Sequence, residues 1–385
     1  MRRKIVNTPQ GCQNRVYIHE LNEWPSFNWD AGRLDPLIEQ AKKERNELFE
    51  ELIGSGFEEL GENLRNEAVV QMLTQEVVKT SEIEGQKLDP DQVRSSIARK
   101  LGLDLGGLRE VDERKTRDID GIVNLVLDAS YKWNESLTAE RLYKWHAWLF
   151  PTGYSDLGKI IVGKWRESPI EVVSSPFNKQ RVHFAGPADI RLNEEMEKFI
   201  AWFESDQKID PILKAGIAHL YFVTIHPFDD GNGRIARAIS DLALAKADGV
   251  SQRFYSMSAQ IKSDRKDYYI ILEKTQKGTL DITDWLDWFL SCLIRSIQWA
   301  KQALHDVIRK ARVLRKMEKL ELNERQKKIM VKFLNGGFGE FVNATKYKNS
   351  ADCSADTANR DLSKLAELEL LQRTGQGKST SYVIK

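Results

Sequence analysis

The chain is 385 residues long with 41% hydrophobic side chains, more than one ordinary domain needs and enough to build a real core, so two or three modules are expected. Its 58 basic and 57 acidic side chains leave a formal charge of +1, which excludes a global field toward nucleic acid or lipid and confines charge-driven binding to local patches. Cys12, Cys292 and Cys353 lie far apart with no CxxC pair, against a disulfide framework or a zinc site. No run of eighteen apolar residues follows the basic start Met1-Arg2-Arg3-Lys4 or occurs elsewhere, so a soluble cytoplasmic protein with no membrane partner is expected.

Helical periodicity dominates and sets the fold class as mainly α. Leu37, Ile38, Ala41, Leu48 and Leu52 share a face over Asp35 to Ile53, and Leu64, Ala68, Met72, Leu73 and Val77 do so over Glu62 to Glu84, where Gly85 supplies the stop. Asp89-Pro90 opens another helix, with aspartate as N-cap and proline in the first turn. Further helices are expected at Asp112 to Trp133, Thr138 to Leu149, Asp189 to Ser205, Pro211 to Ile225, Asn232 to Ala247 and Ser263 to Thr275. Between Gly158 and Phe184 the pattern breaks. β-branched residues cluster at Ile160-Ile161-Val162 and Val172-Val173, with Ser174-Ser175-Pro176 before Val182-His183-Phe184, and a β-hairpin or flap is the natural reading.

From Asp281 to about Leu322 one long helix, basic near Arg309-Lys310-Ala311-Arg312 and Arg315-Lys316, reads as a connector leaving the body. Helices at Asn323 to Leu334, near Asn343 to Tyr347 and at Ala355 to Leu368 then precede two strands that flank Gly375-Gln376-Gly377. Three helices and a hairpin resemble a winged helix-turn-helix module. The division expected is 1–106 as an N-terminal helical region, 107–300 as the body, 301–322 as a helical linker and 323–385 as the winged helix. Residues 322–385 hold eleven basic and seven acidic side chains, a mildly basic balance of about +4, and Asp356 and Asp361 near Arg360 weaken a DNA-reading face. DNA is therefore a partner that is not favoured over protein.

The chemistry concentrates in His226-Pro227-Phe228-Asp229-Asp230-Gly231-Asn232-Gly233-Arg234-Ile235-Ala236-Arg237. Gly231 and Gly233 permit backbone angles that let successive N–H groups converge on an anion, and a helix beginning near Asn232 adds unpaired donors and the positive end of its dipole. Arg234 and Arg237, three apart in the first turns, lean back toward the same anion. Asp230 is a hard oxygen donor placed for a phosphate-bound Mg²⁺, and His226, with an ordinary pKa of about 6.5, can accept a hydroxyl proton as general base. Phe228 reads as core. Each feature alone is commonplace; their joint order is not.

That order, HxFxDGNGRxxR, matches the signature of the Fic family, and the resemblance extends over roughly Leu137 to Leu290. It implies a Fic helical core and a protein adenylyltransferase. In it His226 deprotonates a target hydroxyl, Asp230 holds Mg²⁺, Gly231, Asn232, Gly233 and Arg234 bind the α- and β-phosphates of ATP, and Arg237 holds the γ-phosphate. Gly163-Lys164-Trp165-Arg166 and the strands after it resemble the family's flap at 160–184, which docks a target's extended segment; a purely structural hairpin stands beside that reading. Tyr268-Tyr269 resemble a tyrosine pair near the adenine, with core packing as the other reading. Thr80-Ser81-Glu82-Ile83-Glu84-Gly85 resembles an inhibitory helix whose Glu84 pairs with Arg237, and a carboxylate at a helix C-terminus needs such a cation. The same glutamate could align a water and reverse the modification. The region ahead of Gly106, including Trp24-Pro25-Ser26-Phe27 and Trp29, resembles segments that precede Fic domains. Self-modification and a homodimer are admitted by the resemblance. UMP or phosphocholine transfer and a kinase-like ATP pose are variants of the same fold, and Gly233 stands where the kinase-like branch has lysine. The alternative from another class is a nucleotide-sensing transcriptional regulator that binds DNA through the winged helix.

Overall fold

A computed structural model describes residues 2–5, 16–54, 62–104, 117–156, 158–174, 181–206, 208–249, 254–334, 337–375 and 380–385. Cys12, the junction expected at 106/107, the helix start expected at Asp112, the Ser175-Pro176 turn and Gln376-Gly377 lie outside them. The chain forms two compact units, one of residues 1–54 with 65–301 and one of 55–64 with 302–385.

The first unit is helical. The order is β1 (Arg2–Ile5), α1 (Ala31–Gly54), α2 (Glu62–Ile83), α3 (Pro90–Leu101), α4 (Arg117–Tyr131), α5 (Ala139–Leu149), β2 (Tyr154–Ser155), β3 (Gly158–Lys159), β4 (Ile170–Ser174), β5 (Arg181–Ala185), α6 (Leu192–Glu204), α7 (Pro211–Ile225), α8 (Asn232–Asp248), α9 (Met257–Ser263), α10 (Arg265–Gln276) and α11 (Thr283–Glu318), of which residues 62–64 of α2 and 302–318 of α11 belong to the second unit. Local signals set several starts. Asp89 accepts the Asp91 N–H at 2.9 Å ahead of Pro90, and Asp210 caps α7 in the same way through Ile212. The antiparallel pair α7 and α8 is buried almost throughout and forms the centre of the unit.

The N-terminal region does not stand apart. Glu76 of α2 accepts from Ser256 Oγ at 2.6 Å, Arg33 reaches Asp284 and Asp287 at 2.7 and 2.8 Å, and the Trp24 ring lies edge-on to Tyr221 at 5.1 Å. These join its helices to the same core as the body. The long helix is likewise no mere connector at its start. Trp285, Leu286, Phe289, Leu290 and Leu293 are buried, and Trp285 Nε1 donates to the Gly216 carbonyl at 2.9 Å. The helix expected from Ser263 is α10, and a short helix that was not expected, α9, precedes it and begins where Ser256 Oγ accepts the Ala259 N–H.

Strands β4 and β5 form the expected hairpin, but the sheet order is β1-β4-β5, with the N-terminal segment on its edge, a pairing no periodicity announced. No strand forms at Ile160-Ile161-Val162. There the Ile161 N–H is taken by the Asp229 carboxylate at 2.9 Å, which ties the segment to the motif loop instead of to a ladder. Among the described residues, no helix is long and apolar enough to cross a membrane.

The second unit contains α12 (Glu324–Leu334), α13 (Ala344–Ala351), α14 (Ala355–Glu367) and the antiparallel pair β6 (Leu371–Thr374) and β7 (Ser381–Ile384), close to the expected elements. Ile329, Met330, Phe333, Tyr347, Leu362, Leu365 and Tyr382 make its core. Asp361 was expected to weaken a surface on α14, but it is 5% exposed and faces inward, where it accepts from Arg325, Gln326 and Tyr347 at 2.6, 3.1 and 2.8 Å.

Candidate functional site

Helix α7 ends at His226, whose φ of 52° and ψ of 57° are left-handed, an uncommon setting for a residue with a side chain. Its N–H still reaches the Phe222 carbonyl at 3.0 Å, while ring Nδ1 lies 3.0 Å from the Val223 carbonyl. A carbonyl can only accept, so Nδ1 carries the proton and Nε2 is the proton acceptor of the neutral ring. Phe228 is fully buried, as expected of core, and its ring stacks on His146 at 4.2 Å. His146 accepts the Gly163 N–H through Nδ1 and donates from Nε2 to the Asp230 carbonyl at 3.2 Å; burial drives its pKa down to about 4, so it holds the loop as a neutral ring.

The loop turns at Gly231, with φ of 80°. A Cβ there would stand 2.9 Å from the Phe150 ring, so glycine is required both for the angle and for the space. Asn232 opens α8. Its side chain is fully buried and spans the loop, Oδ1 accepting the Phe228 N–H at 3.0 Å and Nδ2 donating to the Phe228 carbonyl at 2.7 Å. It clasps the loop, and what it can offer an anion is its backbone N–H at the start of α8. Asp230 holds the Gly231 N–H at 2.6 Å and is half-buried at the turn.

Arg234 and Arg237 follow on α8. Arg234 lies over the Phe150 ring at 5.1 Å and donates to Gln86 Oε1 at 3.3 Å. Arg237 is 2% exposed and donates to Thr80 Oγ1 at 2.7 Å, to the Thr80 carbonyl at 3.0 Å and to Glu84 Oε1 at 3.0 Å. Burial opposes its charge, but the adjacent Glu84 carboxylate together with Tyr268 and Tyr269 outweighs it, and its pKa is raised. Glu84 is thus paired with the arginine that the motif assigns to a phosphate. The same carboxylate presses on the start of α8: a Cβ on Gly233 would meet Glu84 Oε1 at 2.2 Å.

The C-terminus of α2 is held by cations that sequence spacing did not reveal. Lys262 donates to the Glu82 carbonyl at 2.9 Å and Arg265 to the Ile83 carbonyl at 2.8 Å, satisfying carbonyls that a helix end leaves open. They come from α9 and α10, nearly two hundred residues away.

His226, Gly233 and Glu84 line one pocket with Val172 and Phe184 of the hairpin and Tyr268, Tyr269 and Leu272 of α10. Its lining is mixed: Val172, Phe184 and Leu272 make an apolar side between hairpin and α10, and Glu84 and His226 are polar groups beside Gly233. Tyr268 is 2% exposed and its hydroxyl pairs with His219 at 2.9 Å, so it forms a fixed wall; Tyr269 is half-buried under the Arg265 guanidinium. His219 was not singled out in the sequence. It is fully buried, its pKa is driven down to about 3 by burial, and it bridges Tyr268 to Ser240 as a neutral ring.

A polyphosphate fits what is present. Arg237 Nη1 is buried without a hydrogen-bond partner, and α8 presents its first N–H groups at a glycine whose missing Cβ leaves the backbone approachable. Among the described residues no cluster of three metal-binding side chains occurs. Asp230 alone fits Mg²⁺ in the manner in which that ion takes one carboxylate together with substrate phosphates.

Residues 136–244 match the Fic/DOC family, and residues 17–103 match the Domain of unknown function (DUF4172). The chain is 26% identical over 230 residues to the Protein adenylyltransferase Fic of Culex quinquefasciatus and 24% identical over 234 residues to that of Nematostella vectensis. These matches cover 58% and 60% of this chain but only 41% and 49% of those proteins. The fold is similar to the crystal structure of a Fic family protein from Desulfovibrio desulfuricans G20, with a TM-score of 0.53 at 19% identity, over 91% of this chain and 96% of that one.

Proposed function

Since the chain belongs to the Fic family, we propose that it transfers AMP from ATP to a hydroxyl side chain of a target protein and that Glu84 restrains this activity. The observation that carries the reading is the convergence of His226, Gly233 and Glu84, the partner of Arg237, on one pocket with an aromatic wall.

The triphosphate lies along the start of α8, its charge met by the N–H groups of Asn232, Gly233 and Arg234 and by both guanidinium groups, while the adenine enters the slot between hairpin and α10. The acceptor hydroxyl gives its proton to His226 Nε2 and its oxygen bonds to the α-phosphorus as pyrophosphate leaves. Nδ1–H on the Val223 carbonyl keeps the ring in the tautomer that can accept. Asp230 would hold Mg²⁺, and the ion would supply charge neutralisation to the phosphates when bound. The 160–184 flap offers backbone for an extended target segment, and the chain's own hydroxyls are candidates for self-modification.

Glu84 supplies the restraint. It takes one fork of Arg237 and crowds Gly233, so ATP binds with its γ-phosphate displaced and the α-phosphorus misaligned. The same carboxylate can orient a water for the reverse reaction, and comparing release of AMP from modified target in wild type and Glu84→Gly separates the two roles.

Wild type, Glu84→Gly and His226→Ala incubated with ATP labelled at the α- or γ-phosphate test the reading. Label reaches protein from the α-position only, rises about tenfold or more in Glu84→Gly, where a charge-assisted bond is released to the substrate, and is lost in His226→Ala. Label from the γ-position would make the protein a kinase. Tight ATP binding with no label from either would favour the nucleotide-sensing regulator.

A further inference from the structure

Arg166 lies in the irregular segment between β3 and β4 and is 2% exposed, yet its guanidinium hydrogen-bonds to backbone carbonyls and, among the described residues, to no carboxylate. Its Nε donates to the His226 carbonyl at 2.9 Å, Nη1 to the Ser168 carbonyl at 2.7 Å and Nη2 to the Pro187 carbonyl at 2.5 Å, and its own N–H reaches the Pro227 carbonyl at 2.9 Å. Ser168 precedes β4 and Pro187 follows β5, so one guanidinium joins both roots of the hairpin to the residue that carries the base. Burial lowers its pKa to about 10, against the pull of Asp189 and Asp229, and leaves it charged at neutral pH.

The left-handed angles of His226 swing its carbonyl out of the α7 ladder, and Arg166 receives it there. The hairpin closes tightly on the same spot. A Cβ on Gly186 would stand 3.0 Å from Ile170 Cγ2, 3.1 Å from Arg166 Nη2 and 3.5 Å from His226 Cβ. Turning the carbonyl turns the Cα–Cβ bond with it, so the direction of the imidazole depends on the fork.

We infer that Arg166 is the positioning residue for the general base: it fixes the His226 backbone so that Nε2 faces the pocket, and it registers the hairpin on which a target docks against that base. The inference rests on the AMP-transfer reading for its kinetic consequence and on geometry alone for its structural one. Lysine keeps the charge but not the planar fork, and cannot serve three divergent carbonyls.

The test compares Glu84→Gly with Glu84→Gly/Arg166→Lys and Glu84→Gly/Arg166→Ala. ATP affinity by calorimetry stays within about threefold, because no phosphate ligand is changed, while kcat for AMP transfer falls about 100-fold through misplacement of the base. Guanidinium ion partly restores the alanine variant, entering through the cavity of about 420 Å³ that Arg166 lines with Lys164, Trp165, Glu167 and Asp189. Imidazole ¹⁵N shifts of His226, assigned by comparison with His226→Ala, report Nδ1–H alone in the parent and a mixture of tautomers in Arg166→Lys. A parent-like kcat and tautomer in Arg166→Lys overturn the inference, as does a fall in kcat matched by equal loss of ATP affinity, which would mean general damage. A parent that transfers no AMP defeats the functional reading instead, and the tautomer still decides the role of Arg166.

Discussion

Two buried charged networks in this chain have similar ingredients and opposite character. In the second unit Asp361 takes Arg325, Gln326 and Tyr347, and its strong acceptors are turned toward helices α12 and α13 and the core. In the first unit Arg237 takes Thr80 and Glu84, but Glu84 and the start of α8 face a pocket and one arginine nitrogen has no hydrogen bond. A buried ion pair by itself therefore marks nothing. What separates a site from a brace is whether the countercharge can be exchanged for a ligand, which needs a cavity on one side and an unspent donor on the other.

The largest effect that separates the two is chemical. His226→Ala lowers α-label transfer by about 10³-fold with little change in melting temperature, because the ring's roles are a proton and one carbonyl bond. Next, Glu84→Gly raises transfer, whereas Asp361→Ala leaves transfer per folded molecule unchanged. The latter strands three donors and destabilises the second unit by about 2 kcal/mol, read by urea unfolding. Equal behaviour of the two carboxylate variants in both assays would erase the distinction drawn between site and brace.

The smallest effect is in pH dependence. Burial opposes the charge of Glu273, but hydrogen bonds from Lys277, His183 and Arg181 hold its pKa down at about 2 from the usual 4.5. A depressed folded pKa contributes stability that is present above the unfolded value and lost as pH falls through the folded one. The melting temperature of wild type should exceed that of Glu273→Gln at pH 6, and the difference should shrink between about 4.5 and 2. A constant difference across that range would remove Glu273 from the clasp between β5 and α10.

How much of this was legible follows from range. Helix starts were readable where a side chain bonds the backbone two residues on, as at Asp89 and Asp210. The failures came where a distant group intervened. Ile160-Ile161-Val162 has strand composition, but Asp229 takes the Ile161 donor; Asp361 has a surface charge's identity, but Tyr347 and Arg325 turn it inward.

The twelve residues from His226 to Arg237 by themselves brought together a histidine, a glycine turn and two guanidinium forks, since a turn and the first helical turns after it are built from bonds between near neighbours. Only tertiary structure decided which carboxylate meets Arg237 across 153 positions, which cations close α2 across 180 and 182, and which arginine holds His226 across 60. Such pairings depend on how helices pack, and packing is the property of a whole core that no local spacing contains.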